Sequence, residues 1–368
     1  MSGYLGHGVR QVRRAVLLLL AGLLLSASSR GADEWPALPD VDGAVLIPAQ
    51  EWPLRPGPRT VKILIHYPGG KRTGVTEQTG VMLTLHNWGG TDCVGTADPR
   101  TLAKELNVVA ICVNYLQSGA KDSIEGPEPY DHGYLQALDS LRALWFVTQG
   151  LKDARQPFAQ GRIYSTGGSG GGNVTLMCNK LAPRTFACVV DLCGMPKLSD
   201  DIAFNLPGGV DLDARYRRDP SDPYYLSPDA QEIRNLGHQA HLQSMRELGS
   251  SAKILVVHGA EDSTYADAKE MVDNMAEAKL AIEPHFITKT DVDGKVFTTS
   301  GHALGNRTLI VLQTAGRYLR PDSPDLLVHE GPSDFDLCDE KVRYATPGGE
   351  WIISYREGFP VGRFEQEK

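Results

Sequence analysis

Short apolar runs alternate with helical patterns over more than two hundred residues of this chain. Most of the runs are apolar at consecutive positions, which is typical of strands covered on both faces in a mainly parallel sheet. The predicted strands cover residues 61–67, 81–86, 108–115, 162–167, 187–192, 253–259 and 283–288. The helical patterns cover residues 133–147, 171–182, 268–280 and 307–319. The alternation predicts an α/β fold, a mainly parallel sheet with helices on both faces.

Two segments interrupt the alternation. Residues 194–250 contain no clear strand and several prolines, and we interpret them as a lid-like insertion over one end of the sheet. Residues 321–368 follow the last helix, and the arms on either side of the Pro-Gly-Gly at 347–349 predict a hairpin in a C-terminal β extension. The predicted organisation is a leader at 1–32, a domain at 33–320 that includes the insertion, and the extension.

The leader has the pattern of a secretory signal peptide. Arg10, Arg13 and Arg14 precede an apolar run at 15–25, and small residues follow the run. The run is shorter than the ~20 residues that span a bilayer. We expect a secreted or periplasmic protein, with an uncleaved anchor as the alternative. The choice between general secretion and twin-arginine export stays open.

Six cysteines lie in a chain that we expect to reach a compartment where disulfides persist. Cys112 and Cys188 fall inside apolar runs, where a free thiol behaves as a small buried hydrophobe. We expect one or two disulfides at most and assign no pairs. No Cys-x-x-Cys pair occurs, so we predict no structural zinc site.

The balance of 45 acidic and 37 basic residues gives a net charge of −8. Nucleic acids and anionic bilayers would be repelled by such a chain on average. We therefore expect no nucleic-acid partner and no stable membrane insertion once the leader is removed. The expected partner is a small-molecule substrate, and the oligomeric state stays open.

A glycine-rich turn, GGSGGG, joins a predicted strand to a predicted helix at 167–172. Gly167 and Gly171 flank Ser169 in a Gly-x-Ser-x-Gly pattern, in which a serine at the apex of a sharp turn needs neighbours without side chains. A phosphate-binding loop is disfavoured because no Lys-Ser or Lys-Thr pair follows. Ser169 is the candidate nucleophile, and an unreactive structural turn is the alternative.

A serine nucleophile needs a base, and the base needs a carboxylate that orients it. Asp262 and His302 each lie in a loop after a later predicted strand. The loops that follow parallel strands gather at one edge of an open sheet, so we expect both residues to meet Ser169 there. The weaker candidates for acid and base are Glu261, Asp191, His258 and His285.

An acyl-transfer intermediate also needs N–H donors for its oxyanion. One should be the backbone N–H of Gly170, directly after the candidate nucleophile. The turn after the strand at 81–86 should supply the other, from Asn87 or Trp88. An ordinary strand-end turn is the alternative.

Four short segments together resemble the α/β-hydrolase superfamily: HNWGG at 86–90, GGSGG at 167–171, HGAED at 258–262 and GHA at 301–303. The acid loop is similar to that of prolyl-oligopeptidase-like and dienelactone-hydrolase-like members. The resemblance implies an α/β-hydrolase fold and a serine hydrolase with a Ser169–His302–Asp262 triad. The sequence differs from these members in two respects. The residues before the first predicted strand are too few for the β-propeller that we expect in prolyl oligopeptidases, and Ser169 replaces the cysteine nucleophile of dienelactone hydrolases.

We expect this chain to be an exported serine hydrolase that cleaves a carboxylic ester through an acyl-enzyme intermediate, without a metal or organic cofactor. A serine peptidase of short peptides and a non-catalytic binding protein are the alternatives. In the insertion, Tyr224 and Tyr225 would wall the substrate pocket. Arg217, or its neighbours Arg215 and Arg218, would anchor an anionic substrate, although such arginines more often form a solvated face.

Overall fold

The computed structural model describes residues 35–367, so the predicted leader lies outside the described residues. Within them, eight strands form one sheet. They are β1 (Gly43–Ala49), β2 (Arg59–His66), β3 (Gly80–Leu85), β4 (Val108–Asn114), β5 (Ile163–Gly168), β6 (Cys188–Leu192), β7 (Lys253–Gly259) and β8 (Ile282–Ile287). A second, antiparallel sheet consists of β9 (Lys341–Thr346), β10 (Gly349–Glu357) and β11 (Phe359–Gln366).

The larger sheet is mainly parallel, as predicted. Its strand order is β1-β2-β4-β3-β5-β6-β7-β8. β2 is antiparallel to both β1 and β4, whereas every pair from β4 onwards in that order is parallel. The central register pairs Leu83 of β3 with Ile111 of β4 and with Ser165 of β5. β5, which leads to Ser169, therefore lies in the middle of the sheet.

The helices lie mostly between strands. They are α1 (Pro99–Leu106), α2 (Ala120–Ser123), α3 (Tyr134–Asp153), α4 (Gly170–Leu181), α5 (Asp200–Phe204), α6 (Pro228–Glu232), α7 (Gln239–Glu247), α8 (Tyr265–Glu277), α9 (Arg307–Thr314) and α10 (Gly316–Leu319). Short 3-10 turns occupy Pro68–Gly70, Arg72–Gly74 and Lys289–Asp291. Among the described residues, none of the helices combines the length and the apolar character that a bilayer crossing requires.

The direction of the crossovers places helices on both faces of the sheet. The chain moves toward the β1 edge between β3 and β4, and toward the β8 edge between β4 and β5. Because such crossovers are right-handed, α1 and α3 must lie on opposite faces. α4 packs against α3, and α9 packs against α1. The sheet is thus covered on both sides, which explains why β3 is buried at every position.

Several elements escaped prediction because they are short or their sequences carry breaking residues, among them the four helices α2, α5, α6 and α7. β1 contains Pro48 near its end, as is usual only for an edge strand, and β11 contains Pro360 and Gly362. α1 spans eight residues, although Asp98 accepts a hydrogen bond from the Thr101 N–H as its N-cap. The helix predicted at 307–319 is divided into α9 and α10 at Ala315. The hairpin predicted in the C-terminal extension is present as β9 and β10.

The disulfide between Cys93 and Cys112 corrects one expectation from the sequence. Cys112 lies in the apolar run of β4, and we expected a free buried thiol there; instead it joins Cys93, with the two Cα atoms 5.7 Å apart. Burial of an apolar run does not exclude a disulfide, because the bonded sulfur is itself apolar. Cys188 is a free, buried thiol, as expected.

The segment at 194–250 contains α5, α6 and α7 but no strand of either described sheet. Its first part has its own apolar cluster, in which Met195, Leu198 and Ile202 pack with Tyr130 from the main domain. The segment is therefore a packed substructure. Met195 brings its first residues next to the turn that carries Ser169.

Candidate active site

Ser169 sits at the apex of a strained turn between β5 and α4. Its φ of 56° and ψ of −121° are unusual for a residue with a side chain, and such strain is concentrated at functional sites. The flanking glycines are required by contact: a Cβ on Gly167 would lie 2.1 Å from the Gly171 carbonyl oxygen. A Cβ on Gly171 would lie 2.2 Å from the Leu85 carbonyl oxygen. The pattern read from the sequence thus reflects close backbone packing around the serine.

The structure brings Ser169, His302 and Asp262 into one hydrogen-bonded chain. His302 Nε2 lies 2.8 Å from Ser169 Oγ, and His302 Nδ1 lies 2.7 Å from Asp262 Oδ2. An ionised carboxylate can only accept, so the Nδ1–H donates to Asp262 and leaves Nε2 free to accept the serine O–H. The imidazole is accessible, with 46% of its side chain exposed, whereas the Asp262 side chain is fully buried. This arrangement can remove a proton from the serine.

Asp262 is held as an anion by its hydrogen bonds. Burial alone would raise the pKa of this carboxyl, but the His302 N–H and the Thr264 backbone N–H outweigh it and hold the pKa well below its usual range. Thr264 donates to Oδ1 twice, from its backbone N at 2.9 Å and from its hydroxyl at 3.1 Å. His258 Nε2 lies 3.4 Å from Oδ2, and burial lowers the pKa of that imidazole to about 4. Sequence reasoning did not include Thr264, although its spacing from Asp262 is that of an Asx-turn.

Three of the weaker candidates for acid and base are bonded to groups other than His302. Glu261 accepts from the Ser300 hydroxyl and pairs with Lys289 at 2.8 Å. His285 pairs with Glu283 in β8. Asp191 accepts from the Gly194 N–H at 2.8 Å, and burial raises its pKa to about 7. None of the three touches His302 through a described hydrogen bond, so Asp262 is the carboxylate that the imidazole meets.

Trp88 supplies the N–H that lies beside Gly170. A Cβ on Gly170 would lie 2.7 Å from the Trp88 backbone nitrogen, so the two peptide units nearly touch. The Trp88 N–H donates to no described residue, and the Gly170 N–H opens α4, where a helix has no internal acceptor. The Asn87 carbonyl accepts from the Gly90 N–H at 2.8 Å and closes the turn. Of the two residues proposed from the sequence, Trp88 therefore has the placement for an oxyanion donor and Asn87 shapes the loop.

An apolar wall stands next to the serine. The Met195 sulfur lies 4.0 Å from Ser169 Oγ. The Trp88 ring stacks on Tyr130 with centroids 3.8 Å apart and an interplanar angle of 9°. Such a surface favours an apolar group of a substrate near the nucleophile. No pattern in the sequence singled out Met195 or Tyr130.

The structure places the predicted substrate residues of the insertion around a cavity and on the surface, without a described contact to Ser169. Tyr224 and Tyr225 line a cavity of about 450 Å³, together with residues from the loop after β1 and from the C-terminal sheet, and none of the triad side chains lines it. Arg217 is exposed, and its Nη1 donates only to the Tyr216 carbonyl at 3.3 Å. Its neighbours Arg215 and Arg218 bind the Glu128 carbonyl and Asp200. This part of the insertion thus forms a cavity with the C-terminal sheet, and a role of these residues in substrate binding stays a prediction.

Metal ligands are poorly available around the triad. Cys193, His258 and Asp262 bring one ligand atom each within 4.8 Å of one another. Burial, however, raises the pKa of the Cys193 thiol, and its sulfur accepts from the Gly259 N–H at 3.3 Å. A metal needs the thiolate, and Asp262 Oδ2 already binds His302. The neutral thiol and the occupied carboxylate therefore make this group of three residues a poor metal site.

Three solved structures share this architecture at low sequence identity. The acylaminoacyl peptidase of Pyrococcus horikoshii is 12% identical with a TM-score of 0.51, and the match covers 81% of this chain and 43% of that one. A puromycin-hydrolyzing peptidase of Mycobacterium tuberculosis is 14% identical with a TM-score of 0.50, over 75% of this chain and 38% of that one. A puromycin hydrolase is 15% identical with a TM-score of 0.50, over 76% and 39%. The chain thus spans about two fifths of the length of these proteins, and the likeness shows that it has the α/β-hydrolase fold.

Sequence comparison places the chain in a family. No curated protein matches it in sequence. A family model described as "Protein of unknown function (DUF2920)" matches residues 125–314, which is more than half of the chain. The matched region includes Ser169, Asp262 and His302, and the Trp88 turn precedes it. The chain therefore belongs to the DUF2920 family, and its fold is that of the α/β hydrolases.

Proposed function

We propose that this protein is a serine hydrolase that cleaves a carboxylic ester through an acyl-enzyme intermediate. One observation carries the proposal: the continuous hydrogen-bonded chain from the Ser169 hydroxyl through His302 to the buried Asp262 carboxylate. A serine hydroxyl on a strained strand-to-helix turn gains reactivity only if a base and its orienting carboxylate are both within reach. The adjacent Gly170 and Trp88 amides give further support.

The first half of the reaction forms the acyl-enzyme. Ser169 Oγ attacks the ester carbonyl carbon while its proton moves to His302 Nε2. The carbonyl oxygen becomes an oxyanion that accepts from the Gly170 and Trp88 N–H groups. The tetrahedral intermediate collapses, the bond to the alkoxy oxygen breaks, and His302 gives its proton to the departing alcohol.

The second half releases the acid. A water molecule gives its proton to His302 Nε2 and attacks the acyl carbon, and the new oxyanion uses the same two N–H groups. Collapse breaks the bond to Ser169 Oγ, which regains its proton from His302. Throughout, Asp262 keeps one tautomer of the imidazole and stabilises the imidazolium, because its depressed pKa maintains the negative charge.

The proposal also includes export to an oxidising compartment. The support is the Cys93–Cys112 disulfide together with the signal-peptide pattern of the leader. Fractionation of cells that produce the full-length chain tests this part. We expect the protein in the periplasm or medium, shortened at its N-terminus; a full-length cytoplasmic product contradicts export.

A fluorophosphonate probe tests the enzyme assignment. The wild type should be labelled, and the variant Ser169→Ala should not. Ser221→Ala is the matched control, because this serine lies exposed in the insertion and should leave labelling unchanged. Absence of labelling in the folded wild type would favour a non-catalytic binding protein.

Matched substrates separate an esterase from a peptidase. Each acyl group is offered as a p-nitrophenyl ester and as a p-nitroanilide, beside a set of dipeptide amides. We expect measurable kcat/KM for the esters, including those whose acyl chain can pass beside Met195 and Trp88. Efficient cleavage of the anilides or dipeptides, relative to the esters after correction for intrinsic reactivity, would identify a peptidase instead.

A further inference from the structure

Arg307 lies directly beside the turn that carries the nucleophile. It is the first residue of α9, five positions after His302. A Cβ on Gly168 would lie 2.4 Å from the Arg307 guanidinium carbon. The guanidinium therefore occupies the space that a side chain on the residue before Ser169 would take. Nothing in the sequence around Arg307 indicated this placement, because only the fold brings α9 against β5.

The guanidinium has no counter-charge among the described residues. No described carboxylate forms an ion pair with it, and the groups that act on its pKa are Cys193 and Tyr115. Its Nη1 is fully buried without an acceptor, whereas Nε and Nη2 are not among the fully buried atoms. Burial lowers the pKa of Arg307, but a guanidinium remains charged at any physiological pH. A half-buried charge without a partner is costly, so an anion that reaches it gains binding energy.

The groups around Arg307 do not supply that anion. Cys193 and Tyr115 face it, and burial raises the pKa of both, so both are neutral. Asp262 is bound to His302 and Thr264. Asp191, the other acid near the turn, has its pKa raised to about 7 by burial and binds the Gly194 N–H. The site next to the nucleophile thus retains an unmatched positive charge.

We propose that Arg307 binds a carboxylate carried by the substrate, so that the preferred esters have a carboxylate a few bonds from the scissile carbonyl. This inference rests on the proposed function. A guanidinium binds a carboxylate through two parallel N–H donors, and the interaction is stronger than a neutral hydrogen bond. The overall net charge of −8 does not prevent such binding, because exposed charges beyond about 8–10 Å are largely screened in physiological salt.

The experiment compares esters of equal length with and without the charge. The p-nitrophenyl monoesters of glutaric and adipic acid are measured against p-nitrophenyl pentanoate and hexanoate, with spontaneous hydrolysis subtracted. We expect a kcat/KM at least about tenfold higher for one monoester than for its neutral match, expressed mainly in KM. In Arg307→Met the ratio of the two kcat/KM values should fall by about tenfold or more. Arg307→Lys should retain part of the ratio, because lysine keeps the positive charge but lacks the two parallel N–H donors of the guanidinium.

Arg317→Met is the matched control. Arg317 lies exposed on α10 and pairs with Glu283 at 3.0 Å, so its removal should leave the ratio unchanged. If thermal unfolding shows that Arg307→Met does not fold, two measurements still test the inference. The wild type must prefer the monoester over its neutral match, and Arg307→Lys must show a smaller preference. Fluorophosphonate labelling and neutral-ester hydrolysis without a preference for the monoester overturn this inference and leave the proposed function standing. Loss of labelling and of all ester hydrolysis in the folded wild type overturns both.

Discussion

His302 Nε2 lies 2.8 Å from Ser169 Oγ, although 133 residues separate the two in the chain. The contact forms because β5 and β8 run in the same direction within one sheet, so the loops that follow them meet at the same edge. The partner of the other imidazole nitrogen comes from the loop after β7, between these two in sequence. The meeting of these loops at Ser169 is therefore a property of the parallel sheet. Substitutions at the individual residues of the hydrogen-bonded chain test what each contributes to the chemistry.

Asp262→Asn should abolish most of the activity without unfolding the protein. An amide at this position can donate to His302 Nδ1 and would select the wrong tautomer, so Nε2 could no longer accept the serine proton. We expect kcat to fall by about 10⁴-fold. Steady-state kinetics with a p-nitrophenyl ester and a thermal unfolding curve measure the two effects.

Glu261→Gln is the matched control for that variant. Glu261 is adjacent in sequence, but it binds Ser300 and Lys289 and not the imidazole. Its kcat should stay within about threefold of the wild type. Equal losses in the two variants would remove Asp262 from the proposed triad.

Removal of the Cys93–Cys112 disulfide should reduce stability and loosen the loop that carries Trp88. The bond closes a loop with a sequence separation of 19 and ties the segment after Trp88 to β4. Closure of a loop of this length contributes about 3 kcal/mol. The double variant Cys93→Ala/Cys112→Ala should lose about that much free energy of unfolding in urea, with kcat reduced severalfold.

Cys338→Ser shows whether the effect belongs to the disulfide. Cys338 is a free, exposed cysteine, and its replacement should change the free energy of unfolding by less than about 0.5 kcal/mol. The same fall in both variants would mean that loss of thiols in general, and not loss of the cross-link, reduces stability.

Asp191 should make stability depend on pH between about 4 and 7. Burial raises its pKa to about 7 in the folded protein, whereas the unfolded chain has the ordinary value near 3.9. In this window the folded state binds more protons than the unfolded state, so the free energy of unfolding falls as pH rises. The protonated Asp191 side chain stabilises the folded state fully below pH ~4, and this stabilisation is lost above pH ~7. The free energy of unfolding changes by at most about 1.4 kcal/mol per pH unit in between.

The comparison with Asp191→Asn isolates this contribution. The variant cannot titrate at that position, so its free energy of unfolding should fall less steeply from pH 4 to 7 than that of the wild type. Urea unfolding at several pH values measures both curves. Parallel curves would show that the Asp191 carboxyl has an ordinary pKa in the folded protein.

The sequence predicted what depends on local pattern and missed what depends on distant packing. β7 was predicted with its observed bounds because its apolar run is continuous, and the order of Ser169, Asp262 and His302 followed from loops after strands. The bond of Cys112 to Cys93 could not be predicted, because the apolar run of β4 gives no sign of a disulfide. Arg307 reaches Gly168 only because α9 folds back onto the sheet, and no local pattern encodes that.

The insertion shows the same limit. Tyr224 and Tyr225 were expected to wall the substrate pocket, and in the structure they line a cavity together with residues of the C-terminal sheet. Met195, the first apolar residue of the segment, approaches Ser169 instead. The position of an insertion depends on the surface against which its apolar residues can be buried. Here β10 and β11 contribute to that surface, and β11 was not predicted because it contains Pro360 and Gly362.

Gly170→Ala should impair catalysis while the hydrogen-bonded chain of Ser169, His302 and Asp262 stays intact. The added Cβ would lie 2.7 Å from the Trp88 backbone nitrogen, so it would push apart the two amides proposed to hold the oxyanion. Loss of one such donor costs about 10²–10³-fold in kcat. KM should change little, because the ground-state ester makes weaker use of these donors than the oxyanion does.

Gly301→Ala, next to His302, is the matched control. A Cβ there would meet no atom closer than 3.5 Å, so kcat should stay within about threefold of the wild type. Unchanged kcat in folded Gly170→Ala would show that the Trp88 and Gly170 amides do not stabilise the intermediate.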